Sequence, residues 1–266
     1  MSRPGSPPRP ALWRLIAAGG IGGLASGMFG VGGGIIMVPL LIWLGGLDQR
    51  RASATSLAAI IPTAVIGACT YGVRGELAVG TAVVVAAGAT AGGWVGARFL
   101  RKIKLAALSW GFVGLLAATA VFMVCYSPHR GAARPLDLAT IAGLAGLGLV
   151  MGLAAGLFGI GGGVIAVPAL MALFGAGDLV ARGTSLAVMI PSAATGTATN
   201  WRGRLVDPLA GLVTGVTGAA ASFGGAGLAF TVSPKVGNSL FAALLGVSAV
   251  QLGFRAAKTG RRDAGQ

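Results

Sequence analysis

The sequence predicts an all-α polytopic membrane protein made of two inverted-topology repeats, each a glycine-broken helical hairpin followed by three transmembrane helices. Three observations carry this expectation. The chain is too apolar and too poor in charge for a soluble domain, its two halves share one motif at a shift of 129 residues, and its basic residues partition unevenly once the broken segments fold back on themselves.

Of the 266 residues, 55% are hydrophobic and 10% charged, with a mean hydropathy of +0.85. Soluble domains carry about 25% charged residues, so too few are present here to cover a soluble surface. The charges stand in short groups separated by uncharged runs of roughly 20 residues, the length that crosses about 30 Å of hydrocarbon. A net charge of +14 and a pI near 11.7 would suggest a nucleic-acid partner in a soluble protein. Here the Lys and Arg residues flank apolar runs, where they set membrane orientation. No RNA-binding motif or aromatic platform accompanies them, so the expected partners are a lipid bilayer and a small anion, with no nucleic acid.

The first half reads as a long broken segment over 15–47 and three spans over 52–73, 77–97 and 105–126. The second reads as 136–177, then 183–201, 205–232 and 238–254. The organisation that follows is a disordered basic N-terminus over 1–14, a first membrane repeat over 15–126, a connecting loop over 127–135, a second repeat over 136–254 and a basic tail over 255–266. The duplication is explicit. "GLASGMFGVGGGIIMVPLL" from Gly23 matches "GLAAGLFGIGGGVIAVPAL" from Gly152 at 13 of 19 positions, and the stretch from Ala52 to Gly67 matches Ala181 to Gly196 at 9 of 16. "TSLA" occurs at Thr55 and at Thr184, with Pro62 and Pro191 seven residues beyond, and "RGEL" at Arg74 answers "RGRL" at Arg202 with a shift of 128.

Charge decides how the broken segments run. If each crosses the membrane once, Lys and Arg divide 12 to 8 between the two faces; if each dips in and returns, they divide 15 to 5. The positive-inside rule favours the second arrangement. Arg74, Arg130, Arg134, Arg182 and Lys235 then lie outside, both termini lie inside, and each half makes a net odd number of crossings. The two halves are therefore oppositely oriented.

Four of the five residues from Gly30 to Gly34, and from Gly159 to Gly163, are glycine. Mid-helix glycines cost about 1 kcal/mol each against alanine, so these segments are expected at hairpin tips. Irregular backbone at membrane depth survives only where it is enclosed by protein or lines a cavity. A helix restarting after each tip presents unpaired N–H groups with partial positive charge, and glycine allows close approach to the backbone. Two readings follow: tight packing alone, or a pair of amide cradles for an anion built on Gly32, Gly33 and Gly34 and on Gly161, Gly162 and Gly163. The cradle reading expects alanine at Gly33 or Gly162 to reduce transport in folded protein. The spaced glycines Gly23/Gly27, Gly88/Gly92/Gly96 and Gly148/Gly152/Gly156 read as packing faces.

Thr55, Ser56, Thr184 and Ser185 likewise have two readings. Their hydroxyls bond the carbonyl one turn back, or they hold an anion. Asn200 joins the candidate site in the second half, where Tyr71 stands in the first. No Lys or Arg is expected mid-span, so attraction for an anion would come from amides and hydroxyls, with Arg74 and Arg202 acting only at the two mouths. The acidic residues Asp48, Glu76, Asp137, Asp178, Asp207 and Asp263 all read as loop, span-end or tail residues, which excludes a carboxylate proton relay across the membrane. Cys69 and Cys125 read as buried thiols without metal spacing. The single histidine, His129, cannot make a His-based metal site or triad, and no nucleophile–base set is present. The expectation is no enzyme, no metal and no cofactor.

The duplicated "GxxxGxFGxGGGxxxVP" with "TSL" and "IP" after each copy resembles the sulfite exporter TauE/SafE family of bacterial membrane proteins, over roughly 23–252. Gly30, Gly32, Gly33, Gly34, Gly159, Gly161, Gly162, Gly163, Thr55, Ser56, Thr184 and Ser185 match its pattern. The resemblance implies an inner-membrane permease for sulfur-containing anions. The alternative is a membrane-embedded assembly subunit without transport, against which the paired breaks argue, since a scaffold has no use for interrupted helices. Composition leaves substrate, direction, coupling ion and oligomeric state open.

Overall fold

The computed structural model describes residues 11–126 and 137–263. The expected connecting loop at 127–135, and all but the last four residues of the expected N-terminal segment, lie outside them. The described residues form ten helices: α1 (Leu12–Phe29), α2 (Gly34–Trp43), α3 (Gln49–Val73), α4 (Val79–Leu100), α5 (Leu105–Cys125), α6 (Leu138–Phe158), α7 (Gly163–Ala172), α8 (Asp178–Arg202), α9 (Pro208–Thr231) and α10 (Pro234–Asp263). Seven of these are long and apolar enough to cross a membrane, namely α1, α3, α4, α5, α6, α9 and α10. The chain is a multi-pass, all-helical membrane protein.

The broken segments are hairpins. The guanidinium of Arg14, in the first turn of α1, donates to the carbonyl of Leu44 at the end of α2, so α2 returns to the face where α1 began. In the second hairpin, a β-carbon on Gly143 near the start of α6 would sit 3.3 Å from the ring of Phe174, just past the end of α7. At about 1.5 Å per residue, the ten residues of α2 and of α7 reach only about 15 Å, roughly half of the hydrocarbon core.

Small residues set the remaining pairings, as the spacing predicted. β-Carbons on Gly23 and Gly27 of α1 would stand 2.1 Å and 2.0 Å from the carbonyls of Gly218 and Ser222 of α9. Gly88, Gly92 and Gly96 of α4 meet Ala145, Leu149 and Leu153 of α6 in the same manner. In both pairs residue numbers rise together, so the helices run parallel. α3 and α8 run antiparallel: Leu57 lies against Gly196, Leu186 against Gly67 and Tyr71 against Gly183. These two helices form the middle of the protein, and the core around them includes Leu57, Ile60, Leu186 and Met189, each 0% exposed.

Tracing these directions leaves two faces. One, here the near face, holds the start of α1, the α2–α3 and α4–α5 turns and the end of α8. It carries Arg14, Arg50, Arg51, Arg98, Arg101, Lys102, Lys104, Arg202 and Arg204. All five tryptophans, Trp13, Trp43, Trp94, Trp110 and Trp201, lie toward this face and point outward, between 46% and 64% exposed. Such rings anchor at the membrane–water boundary. The far face carries Arg74 and Lys235. Cys69 and Cys125 are exposed on the outside of the bundle and are not the buried thiols their apolar surroundings suggested.

Four expectations are corrected in detail. The span expected from residue 183 begins at Asp178, and the one expected from 238 begins at Pro234. The segment expected as a basic tail from 255 continues as helix to Asp263. The "RGEL"/"RGRL" turns are equivalent at a shift of 129, not 128: Gly75 (φ 76°) corresponds to Arg204 (φ 54°), the one non-glycine among the described residues in the left-handed region.

Candidate functional site

Each tip is built from three left-handed glycines. Gly30 (φ 71°) ends α1 and donates its N–H to Ser26, while Gly32 and Gly33 (φ 72° each) turn the chain into α2. Gly159 (φ 73°) ends α6 with its N–H on Ala155, and Gly161 (φ 75°) and Gly162 (φ 85°) lead into α7. A left-handed residue other than glycine costs about 1–2 kcal/mol, which accounts for three glycines in each group. In α2 the first ladder donors are the N–H groups of Ile36 and Met37, both on the Gly33 carbonyl; in α7 they are Ile165 and Ala166 on Gly162. The amides ahead of them, at Gly34 and Ile35 and at Gly163 and Val164, form the unladdered first turn of each short helix. All four residues are buried, and Ile35 and Val164 are 0% exposed.

The fourth glycine of each group has an ordinary φ and a different reason. The tips cross and touch each other. A β-carbon on Gly34 would stand 2.5 Å from the Gly159 carbonyl oxygen and 2.5 Å from Cα of Ile160; one on Gly163 would stand 2.6 Å from Cα of Val31 and 2.8 Å from the Gly30 carbonyl oxygen. Above the crossing sit Ile60 of α3 and Met189 of α8, which contact both Gly32 and Gly161. At Gly34 and Gly163 the group that approaches the glycine backbone is therefore the other hairpin. Gly33 and Gly162 are closed off by the first helix of their own hairpins, at the carbonyls of Gly22 (2.3 Å) and Met151 (2.7 Å).

The "TSLA" residues lie beside this crossing and take up several roles. The Thr55 hydroxyl accepts from the backbone N–H of Asp207 (3.0 Å), and the Thr184 hydroxyl accepts from that of Ala78 (3.1 Å). Asp207 and Ala78 are the cap residues of α9 and α4, so each threonine ties the other half's next helix to the centre. This role is one that the sequence did not indicate. Ser56 donates to the carbonyls of Gly159 and of Ser53 (3.2 Å for the latter). Ser185, its counterpart, is 0% exposed and its Oγ has no hydrogen-bond partner. Asn200 is also 0% exposed with neither side-chain atom partnered. Tyr71, at the matching place in α3, donates its hydroxyl to the Gly27 carbonyl at 2.8 Å.

The sequence reading missed two residues. Arg182 and Asp178 were assigned to a loop and a span end, and no cation was expected within a span. Both lie inside α8, 5% and 1% exposed, with an i,i+4 ion pair at 3.7 Å. Arg182 packs its Cα and Cβ against Gly30, where a β-carbon would come within 2.6 Å of both, and its guanidinium donates to the Met28 carbonyl at 2.7 Å. A charge within a membrane-embedded bundle is costly and needs a partner. The signal was present in the sequence as an Asp and an Arg four residues apart, on the same helix face, aligned with the neutral Gln49 and Ser53 at the 129-residue shift. Among the described residues no group of three or more metal-ligating side chains occurs.

The family model described as "Sulfite exporter TauE/SafE" matches twice, over residues 1–123 and 144–266. A "Probable membrane transporter protein" of Xylella fastidiosa is 29% identical over 163 residues, covering 59% of this chain and 61% of the relative's length. The "Probable membrane transporter protein YunE" of Bacillus subtilis is 29% identical over 212 residues, 68% of this chain and 75% of its own. No solved structure matches the chain.

Proposed function

The chain belongs to the sulfite exporter TauE/SafE family of membrane transporters, and from that premise we propose that it is an inner-membrane permease moving a small sulfur-containing anion, such as sulfite or a sulfonate like sulfoacetate, by alternating access between two inverted repeats. The observation that carries the reading is the crossing of two glycine-broken tips between the antiparallel α3 and α8. Transporters built from inverted repeats place their substrate at the repeat interface, among interrupted helices. In this reading two unladdered helix starts, Gly34–Ile35 and Gly163–Val164, serve the anion together with the hydroxyls of Ser56, which bonds the Gly159 carbonyl, and of its counterpart Ser185. Helix starts favour anions. A relative displacement of the two hairpins would open the crossing to one face or the other, and Gly32, Gly33, Gly161 and Gly162 would then meet the anion where they now meet protein.

The near face is assigned to the cytoplasm, with both termini, because it carries most of the Lys and Arg and all five tryptophans. Cysteines introduced in the Arg98–Lys104 turn should react only from the cytoplasmic side, and one at Arg74 only from outside. Helix ends contribute about 0.3–1 kcal/mol each when exposed and up to about 2 when partly buried. With a few charge-assisted bonds of about 1.5–3 kcal/mol set against desolvation, binding should fall in the micromolar to millimolar range. The deciding experiment measures uptake and efflux of sulfite, thiosulfate and sulfoacetate in proteoliposomes, with choline and a sugar as controls. Saturable movement of the anions alone supports the proposal, and no movement of any of them ends it.

A further inference from the structure

The two tips are packed alike but are not chemically alike. Ser53 stands against Gly159 as Arg182 stands against Gly30: a β-carbon on Gly159 would meet Cα and the carbonyl of Ser53 at 2.4 Å and 2.3 Å. The turn before holds Gln49 in α3 and Asp178 in α8. Ser56 fastens the Gly159 carbonyl, whereas Ser185, three residues beyond Arg182, is buried without a partner. One break is thus neutral and latched by a serine. The other has a buried guanidinium and an unengaged buried hydroxyl on one face of α8.

We propose that Arg182, with Ser185, is the anion-selecting site of this protein, so that the first glycine break binds the charge of the substrate and the second only passes it on. The inference rests on the permease reading above. Among the described residues Arg182 is the only Lys or Arg that is buried. Its guanidinium has five donors; the Met28 carbonyl takes one, the Tyr71 hydroxyl lies beside it, and the nearest Asp178 oxygen to Nη2 is at 3.7 Å, which leaves donors for a further acceptor. A planar guanidinium suits bidentate contact with an oxyanion, and both sulfite and a sulfonate present the oxygens for it. Met28 and Asp178 hold the guanidinium in place while the tips are closed. Displacement of the first hairpin would remove the Met28 carbonyl and free its donor for the anion. At the same place the first half carries the neutral Gln49 and Ser53 against an equally close contact, so the packing itself does not require a charge.

That neutral pair supplies the test. The double variant Asp178→Gln/Arg182→Ser copies Gln49 and Ser53 into α8 and leaves no unpaired buried charge. Reconstituted beside the unmodified protein, with sulfite as probe, it should keep kcat within about threefold and raise KM at least tenfold, about 1.4 kcal/mol. The sulfite-dependent rise in melting temperature should disappear. Arg182→Lys, which keeps the charge and loses the fork, should fall between the two and decides the matter if the double variant does not fold. An unchanged KM with retained sulfite stabilisation in the double variant, or in Arg182→Lys a loss confined to kcat, overturns the inference while leaving the permease reading standing. Absence of sulfite, thiosulfate and sulfoacetate transport by the unmodified protein overturns both.

Discussion

Gly34 and Gly159 touch across the two halves: a β-carbon on Gly34 would stand 2.5 Å from the Gly159 carbonyl oxygen. The obstacle is backbone on the opposing tip, which no side-chain rotation can relieve. Gly34→Ala and Gly163→Ala should each destabilise the protein by about 1–3 kcal/mol or more, as overpacking does. Gly33→Ala adds the left-handed cost of about 1–2 kcal/mol to a 2.3 Å contact with Gly22, so it is expected to impair folding as well as transport. Gly20→Ala, in open space on α1, should be neutral or stabilise by about 0.5–1 kcal/mol. Thermal melting of the four variants in detergent separates these outcomes, and a fully stable Gly34→Ala would show that the tips do not cross as described.

Thr55→Val removes the acceptor of the Asp207 N–H, and Thr184→Val that of Ala78. Each change leaves a backbone donor unpaired at the start of a helix, a loss of about 1–3 kcal/mol. The loss should appear in the absence of any anion and should be restored by Thr→Ser. A pair of valine variants with unchanged melting temperature and a weakened anion response would return these threonines to the role of direct ligands.

Arg204 takes a left-handed conformation (φ 54°) where its counterpart is Gly75. Arg204→Gly should remove about 1–2 kcal/mol of backbone strain, offset by about 0.4–1 kcal/mol of extra unfolded-state entropy, for a net gain between about 0 and 1.6 kcal/mol. Gly75→Ala should go the other way. Chemical or thermal denaturation of the two variants checks the opposite signs.

Asp137 caps α6 by accepting from the Thr140 N–H at 2.9 Å, and its bonds to the Thr140 hydroxyl and N–H hold its carboxyl below the usual value of 3.8. The folded pKa is the lower one, so the contribution to stability is present above the usual value and is lost as pH falls through the folded pKa. Asp137→Asn should therefore leave stability at pH 7 nearly unchanged, since asparagine also caps, and remove this part of the acid dependence. Melting curves between pH 3 and 7 test it; an identical acid limb in the variant would assign that dependence to other carboxylates.

The sequence by itself determined the helical membrane class, the duplication, the hairpin shape of the broken segments and the glycine packing faces. Each of these rests on local chemistry: apolar length, the backbone freedom of glycine, the spacing of small residues along a helix, and charge at span ends. Its error at Arg182 came from the same rule, which puts charge at span ends, whereas Asp178 and Arg182, an ion pair four residues apart, lie within α8. What only the tertiary structure decided is which surfaces meet. Nothing local says that Gly34 needs to be small because of Gly159, that Thr55 holds Asp207 from 152 residues away, or that Ser56 is engaged while Ser185 is not. Those relationships arise where antiparallel α3 and α8 bring two equivalent breaks together. There the identity of a single residue, Ser53 in one half and Arg182 in the other, makes two similarly packed tips electrostatically different.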